Sequence, residues 1–140
     1  MKVANKRAVR LEWCGSGLRF RGGGTVPETP TIEVDGDGES APSPMLVLLL
    51  ACAGCTASDV ISMLQKMRVV VASLTVDVTG ERREGDPQRY SRLKLFYRIA
   101  GDGLDLVKAR RAVVLSLEKY CSVVHSLAPD IVVDHEIELA

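Results

Sequence analysis

Residues 43–67 read SPMLVLLLACAGCTASDVISMLQKM, and the rest of the chain follows from how this run is covered. From Met45 to Ala53 no side chain is polar apart from the weakly polar thiol of Cys52. A helix that is apolar all round has no face to give to water, so burial on every side is expected. Ser43 is a good N-cap and Pro44 suits the first helical position, which places the start of the helix. Cys52 and Cys55 lie where the greasy half gives way to Thr56, Ser58 and Asp59. Burying such a helix is a heavy demand on 140 residues, and a second copy of the chain would meet part of it.

Upstream, Val9, Leu11 and Trp13 alternate with Arg10 and Glu12, the period of a half-buried strand. Cys14 to Gly17 reads as a turn, and Leu18 and Phe20 alternate with Arg19 and Arg21 in a second strand that Gly22–Gly24 is expected to break. Thr31 to Asp35 forms a third strand, and residues 36–44 a loop. Downstream, Val70, Ala72, Leu74, Val76 and Val78 are expected on one strand face, with a charged turn from Gly80 to Gln88. Leu93, Leu95, Tyr97 and Ile99 alternate with Arg92, Lys94 and Arg98 in a fifth strand, stopped by Gly101–Gly103. Leu106, Val113, Leu117, Tyr120, Val124 and Leu127 fall near one face of a second helical segment, either continuous or broken near Cys121. A last strand carries Ile131, Val133, Ile137 and Leu139, with His135 among them as a hydrogen-bonded core histidine. The order β-β-β-α-β-β-α-β, with hairpin-linked strands beside long helices, is α+β with mainly antiparallel sheet. A single domain over 1–140 is expected: N-terminal strands to 35, the central helix over 43–67, and the remaining elements over 69–140.

Eighteen basic and 18 acidic residues cancel, which removes any global pull toward nucleic acid or an anionic membrane. Few aromatics argue against a stacking platform for single strands. Lys2, Lys6, Arg7 and Arg10 precede no apolar segment of the signal-peptide kind. The apolar run itself is shorter than the about 20 residues of a membrane span. Four cysteines without an export signal read as thiols in a reducing compartment, hence the cytoplasm.

Three chemistries compete for these thiols. A thiol peroxidase needs a thiolate, favoured by a nearby arginine, and a second thiol to condense with the sulfenic acid before over-oxidation. Cys55 and Cys121, one on each helical segment, can supply that pair. A redox CxxC at Cys52 and Cys55 is weaker, because Ser43-Pro44 puts it in mid-helix, where an i, i+3 bridge is strained. A metal site from Cys52, Cys55, Cys121 and His125 has acceptable spacings for zinc, but its ligands lie in apolar helical stretches, not on loops. Against all three, buried cysteines often serve only as small apolar side chains. The glycine-rich stretch at 21–24 lacks the context of a nucleotide loop.

Ser43-Pro44-Met45, the leucine-rich run, Gly54-Cys55-Thr56-Ala57, Lys66-Met67-Arg68 and the late Cys121-Ser122-Val123 together resemble the OsmC/Ohr family, in a GCTA-type form. The element order is similar too, so the resemblance covers nearly the whole chain. It implies an intertwined homodimer with long central helices buried against each other. It also implies a two-cysteine peroxidase that reduces organic hydroperoxides, needs no metal or other cofactor, and is regenerated by a dithiol reductant. By position Cys55 matches the attacking cysteine and Cys121 its resolving partner, and Arg19 or Arg21 is the candidate activating arginine. The family's glutamate after the helix-opening proline is replaced here by Met45. That departure keeps open a non-catalytic structural, sensor or small-ligand-binding role in the same fold.

Overall fold

The computed structural model describes residues 5–140, so Lys2 lies outside the described residues. The chain divides into two compact units, one ending at Leu48 and the other running from Leu49 to Ala140.

The first unit is an antiparallel sheet of β1 (Val9–Trp13), β2 (Arg19–Gly24) and β3 (Thr31–Asp35), with β2 in the centre. The β1–β2 turn uses Gly15 and Gly17 at positive φ, and the Trp13 indole N–H donates to the Gly17 carbonyl at 3.0 Å. Gly22–Gly24 does not break the second strand. Those residues pair with Leu11, Arg10 and Val9, and Gly22 and Gly23 also pair with Ile32 and Thr31. The reason is steric. A Cβ on Gly23 would stand 2.5 Å from the Pro30 carbonyl oxygen, so glycine there permits close pairing. After β3, the buried Asp35 carboxylate accepts the N–H groups of Asp37, Glu39 and Ser40 and the Ser40 hydroxyl, which shapes the loop into the central helix.

Helix α1 runs from Pro44 to Lys66, with the Leu46 N–H donating to Ser43 Oγ at 3.4 Å as the N-cap reading requires. Its buried residues are Leu49, Cys52, Thr56, Val60 and Leu64, a single stripe at three- and four-residue spacing. Burial on every side is therefore not met within the protomer: Leu46 is 52% exposed and Leu50 60%. Among the described residues, that stripe is the part of the helix that is buried. At 23 residues and a mean hydropathy of 1.9, the helix has the length and composition to cross a membrane, a test that core helices of soluble proteins also pass.

The second unit holds a sheet ordered β4 (Val70–Arg82), β5 (Tyr90–Asp102), β6 (Val132–Leu139). Strands β4 and β5 are antiparallel, whereas β6 runs parallel to β5, as the long crossover between them allows. Leu93, Leu95, Tyr97 and Ile99 of β5 are all fully buried. A bulge between Val71 and Ser73 reverses the parity of β4 at its start. Val71 is consequently half-buried and Val70 exposed, contrary to the uniform alternation read from the sequence. Gly80 belongs to β4 and not to the turn, because it makes room for the Tyr90 ring, 2.5 Å from where its Cβ would be. Gly101 and Asp102 likewise continue β5, and the strand stops at Gly103 with φ +81°.

The crossover begins with α2 (Leu106–Leu115), capped by the Asp105 carboxylate accepting from the Lys108 N–H at 2.8 Å. A π-helical turn follows over Ser116–Tyr120, then Cys121 in an extended conformation, then the short α3 (Ser122–His125). The segment thus breaks at Cys121. Of the expected inward face, Val113 is buried and Leu117, Val124 and Leu127 are half-buried, but Leu106 and Tyr120 are exposed, and Ala109, Ala112 and Ser116 complete the buried side. The π turn takes an extra residue per turn and slips the helical phase. His135 is also not a core residue. It sits opposite Leu95 on the edge strand and is exposed, while Arg92, Lys94 and Arg98 pair with Asp134, Glu136 and Glu138.

Candidate active site

All four cysteines are free thiols. Cys14 is exposed in the first unit and Cys52 is buried in the α1 stripe. Burial raises the Cys52 thiol above its ordinary range, with the nearby Cys55 adding to the effect, which suits a packing role. Cys55 is half-buried and Cys121 fully buried, and the structure brings them together. The two sulfurs and a carboxylate oxygen of Asp59 all lie within 4.8 Å of one another.

Each member is placed by a local device. Cys55 and Asp59 are four residues apart on α1, one above the other on the same side. Cys121 is presented by the end of the π turn, whose last hydrogen bond runs from the Cys121 N–H to the Ser116 carbonyl at 2.7 Å. Removed from water, the Cys121 thiol is pushed up to about 11, with the proximity of Cys55 and Asp59 acting in the same direction. It therefore stays a neutral thiol at neutral pH. Cys55 is the more accessible of the pair.

Behind the thiols runs a chain of buried hydroxyls that the sequence reading missed. Thr56 Oγ1 lies 2.8 Å from Tyr97 Oη and 2.8 Å from Ser116 Oγ, and Ser116 donates to Asp59 Oδ2 at 2.9 Å. A hydroxyl has one hydrogen, and that of Ser116 goes to the carboxylate. Thr56 must then donate to Ser116, and Tyr97 to Thr56. The direction is set from one end: Tyr97 to Thr56 to Ser116 to Asp59. Burial pushes the Tyr97 phenol up to about 12, so it remains a donor. Among the described residues no buried side-chain nitrogen or oxygen lacks a partner. Thr56 was open to discovery, because it falls on the otherwise apolar stripe of α1 and a hydroxyl there needs a partner.

A metal would meet two sulfurs and one carboxylate oxygen here, one short of the four ligands of a structural zinc. Neither Cys52 nor His125 joins that cluster, and His125 Nε2 bonds the Leu117 carbonyl at 3.0 Å. The arrangement is that of a dithiol beside a carboxylate. Arg19 and Arg21 belong to β2 of the first unit, both exposed. Arg19 donates to the Ser16 hydroxyl, and Arg21 pairs with Glu33 at 2.9 Å.

Similarity to known proteins extends over the same elements. The family described as OsmC-like protein matches residues 36–136. Protein YhfA of Escherichia coli K12 is 40% identical over 132 residues, 94% of this chain and 96% of its own. The crystal structure of a hypothetical protein from Aquifex aeolicus VF5 superposes with a TM-score of 0.84 at 28% identity, covering 100% of this chain and 98% of the other. The organic hydroperoxide resistance protein OhrB of Bacillus subtilis shares the fold, with a TM-score of 0.60 at 14% identity over 99% of this chain and 100% of its own. With its central helix and its paired cysteines inside the matched residues 36–136, and 40% identity to YhfA over 94% of its length, the chain belongs to the OsmC-like protein family.

Proposed function

We propose that the protein is a homodimeric, cofactor-free peroxidase of the cytoplasm that reduces organic hydroperoxides, with Cys55 attacking and Cys121 resolving. The observation that carries this reading is the approach of the two sulfurs to within 4.8 Å inside one chain. The half-buried Cys55 is the thiol a substrate can reach, and the buried Cys121, held neutral, is suited to wait for the oxidised partner. In the first step the Cys55 thiolate attacks the terminal oxygen of the hydroperoxide. The O–O bond breaks, the alkoxide leaves and takes up the proton that the Cys55 thiol released, and Cys55 becomes a sulfenic acid. Cys121 then displaces water to form a disulfide, which a dithiol reductant returns to two thiols. Arg19 or Arg21 is assigned the positive charge that stabilises the Cys55 thiolate. The exposed Leu46 and Leu50 on α1 support the homodimer, since a second copy would cover them. The buried stripe of α1 and its hydroxyl links to β5 favour a core helix over a membrane span.

Mass spectrometry after an equimolar dose of cumene hydroperoxide is expected to show a Cys55–Cys121 disulfide. Both thiols still reduced would overturn the assignment. A second reading, a non-catalytic sensor or ligand-binding member of the fold, is favoured by the first turn of α1, which carries no acidic residue and has Met45 after Pro44. It predicts that Cys55→Ser leaves hydroperoxide turnover unchanged and near background.

A further inference from the structure

We propose that Asp59 is the proton-transfer residue of the resolving step, held in place by the hydroxyl chain from Tyr97. This rests on the two-cysteine reading above and adds a role to a third side chain. The geometry leaves few alternatives. Among the described residues Asp59 is the one carboxylate or imidazole clustered within 4.8 Å of both sulfurs. Its orientation is fixed from behind by Ser116 at 2.9 Å, which is itself fixed by Thr56 at 2.8 Å. Three consecutive hydroxyls, all fully buried, are a large investment in polar groups for one half-buried carboxylate. Ser116 engages Oδ2, and a carboxylate has further lone pairs to offer a thiol.

The chemistry requires such a group. Resolution removes a proton from Cys121 Sγ and adds one to the hydroxyl leaving Cys55. Asp59 accepts the proton as the Cys121 sulfur attacks the Cys55 sulfur. The S–S bond forms, the S–OH bond breaks, and the proton passes to the departing hydroxide, which leaves as water. No net proton is gained or lost. When the dithiol reductant attacks Cys55, its thiol gives up a proton as the new S–S bond forms, Cys121 is the leaving group, and the same residue passes that proton to it. Without Asp59, Cys121 must ionise unaided. Its neighbours are Cys55 and Asp59 on α1, Tyr97 on β5 and the Val124 N–H, and its thiol sits at about 11. Only the Val124 N–H favours the thiolate.

The test compares Asp59→Asn with the unaltered protein, reduced and then mixed with cumene hydroperoxide or, separately, with the azo oxidant diamide. Diamide adds to Cys55 and is expelled as a hydrazine by Cys121, so it poses the same proton problem without peroxide chemistry. Disulfide formation in Asp59→Asn is expected to slow about a hundredfold at neutral pH with both oxidants, the lower end of general acid–base effects. The deficit shrinks about tenfold per pH unit as the solution approaches the Cys121 value. In Asp59→Asn dimedone is expected to capture the Cys55 sulfenic acid even with Cys121 present, which puts the deficit after the first step, and an unchanged circular dichroism spectrum verifies the fold of the variant. Ser116→Ala is expected to share the pH-dependent deficit and Ser116→Thr to restore the rate. Unchanged disulfide formation with both oxidants overturns the role of Asp59. A deficit with diamide but no reaction with cumene hydroperoxide in any form overturns the peroxidase reading and leaves Asp59 in place.

Discussion

Strands β1 and β5 alternate equally well in sequence, yet the sheets they belong to differ in what they hide. All five residues of β1 are exposed, Val9 at 79% and Trp13 at 60%, whereas the four inward residues of β5 are fully buried. Alternation marks the two faces of a strand but carries no information on what will cover either. In the second unit the cover comes from the same chain, through α1 and the helical crossover, and it is partly polar: Tyr97 reaches Thr56 and, through it, Ser116. In the first unit every residue of β1 is left exposed among the described residues. An apolar strand face left open this way is what the homodimer reading accounts for.

The largest effect separating the two sheets is expected from truncation of their apolar residues. Leu95→Ala removes a fully buried side chain and is expected to cost about 2–5 kcal/mol in chemical denaturation. Leu11→Ala, at an exposed position, costs about 0.5 kcal/mol or less if the chain unfolds as a monomer. Should the loss at Leu11 instead be large and depend on protein concentration, β1 is covered by a second copy. A small loss at Leu95 would break the comparison from the other side.

Much of this was open to reading. Ser43-Pro44 placed the helix start, and the row from Leu93 to Ile99 placed the central core strand, since both are local patterns with one physical meaning. The bulge after Val71 and the π turn over Ser116–Tyr120 were not readable, because each is a register decision made by packing and not by residue type. That π turn matters most for the site, since it ends at Cys121. The thiols themselves stood out and Cys55 and Cys121 could be named as a pair, but their approach depends on two segments far apart in sequence, which no local pattern brings together. Asp59 could have been found. It follows Cys55 by one helical turn, and the hydroxyl of Thr56 on a buried stripe announces polar company nearby.

Next in size is the polar part of the second core. Thr56→Val keeps the shape and removes the hydroxyl that receives from Tyr97 and gives to Ser116. Leaving the buried phenol without its partner is expected to cost about 1–3 kcal/mol. Thr56→Val combined with Tyr97→Phe should recover part of that loss, since no orphaned donor then remains at that end. Equal stability of Thr56→Val and the unaltered protein would mean the chain is not coupled as drawn. On the exposed side of α1, Leu50→Glu is expected to weaken self-association about tenfold or more, as charges do in the core of an interface, read by sedimentation. No change in association would remove Leu50 from any dimer contact.

The smallest effect belongs to the first unit, where Asp35 is the one buried charged group among the described residues. The N–H groups of Ser40 and then Asp37 lower its carboxyl to about 2, from an ordinary 3.8. A depressed carboxyl contributes stability that is present above its unfolded value and is lost as pH falls through its folded one. The 36–42 loop should therefore keep its hydrogen bonds down to pH 3.8 and lose them on approach to 2. Amide exchange at Asp37, Glu39 and Ser40 is expected to accelerate only in that window. In Asp35→Asn the same amides should exchange faster at neutral pH and show no further acid-dependent loosening. If they stay protected in the variant, the loop is held by something other than the carboxylate, and the first sheet has more internal support than its exposed strands indicate.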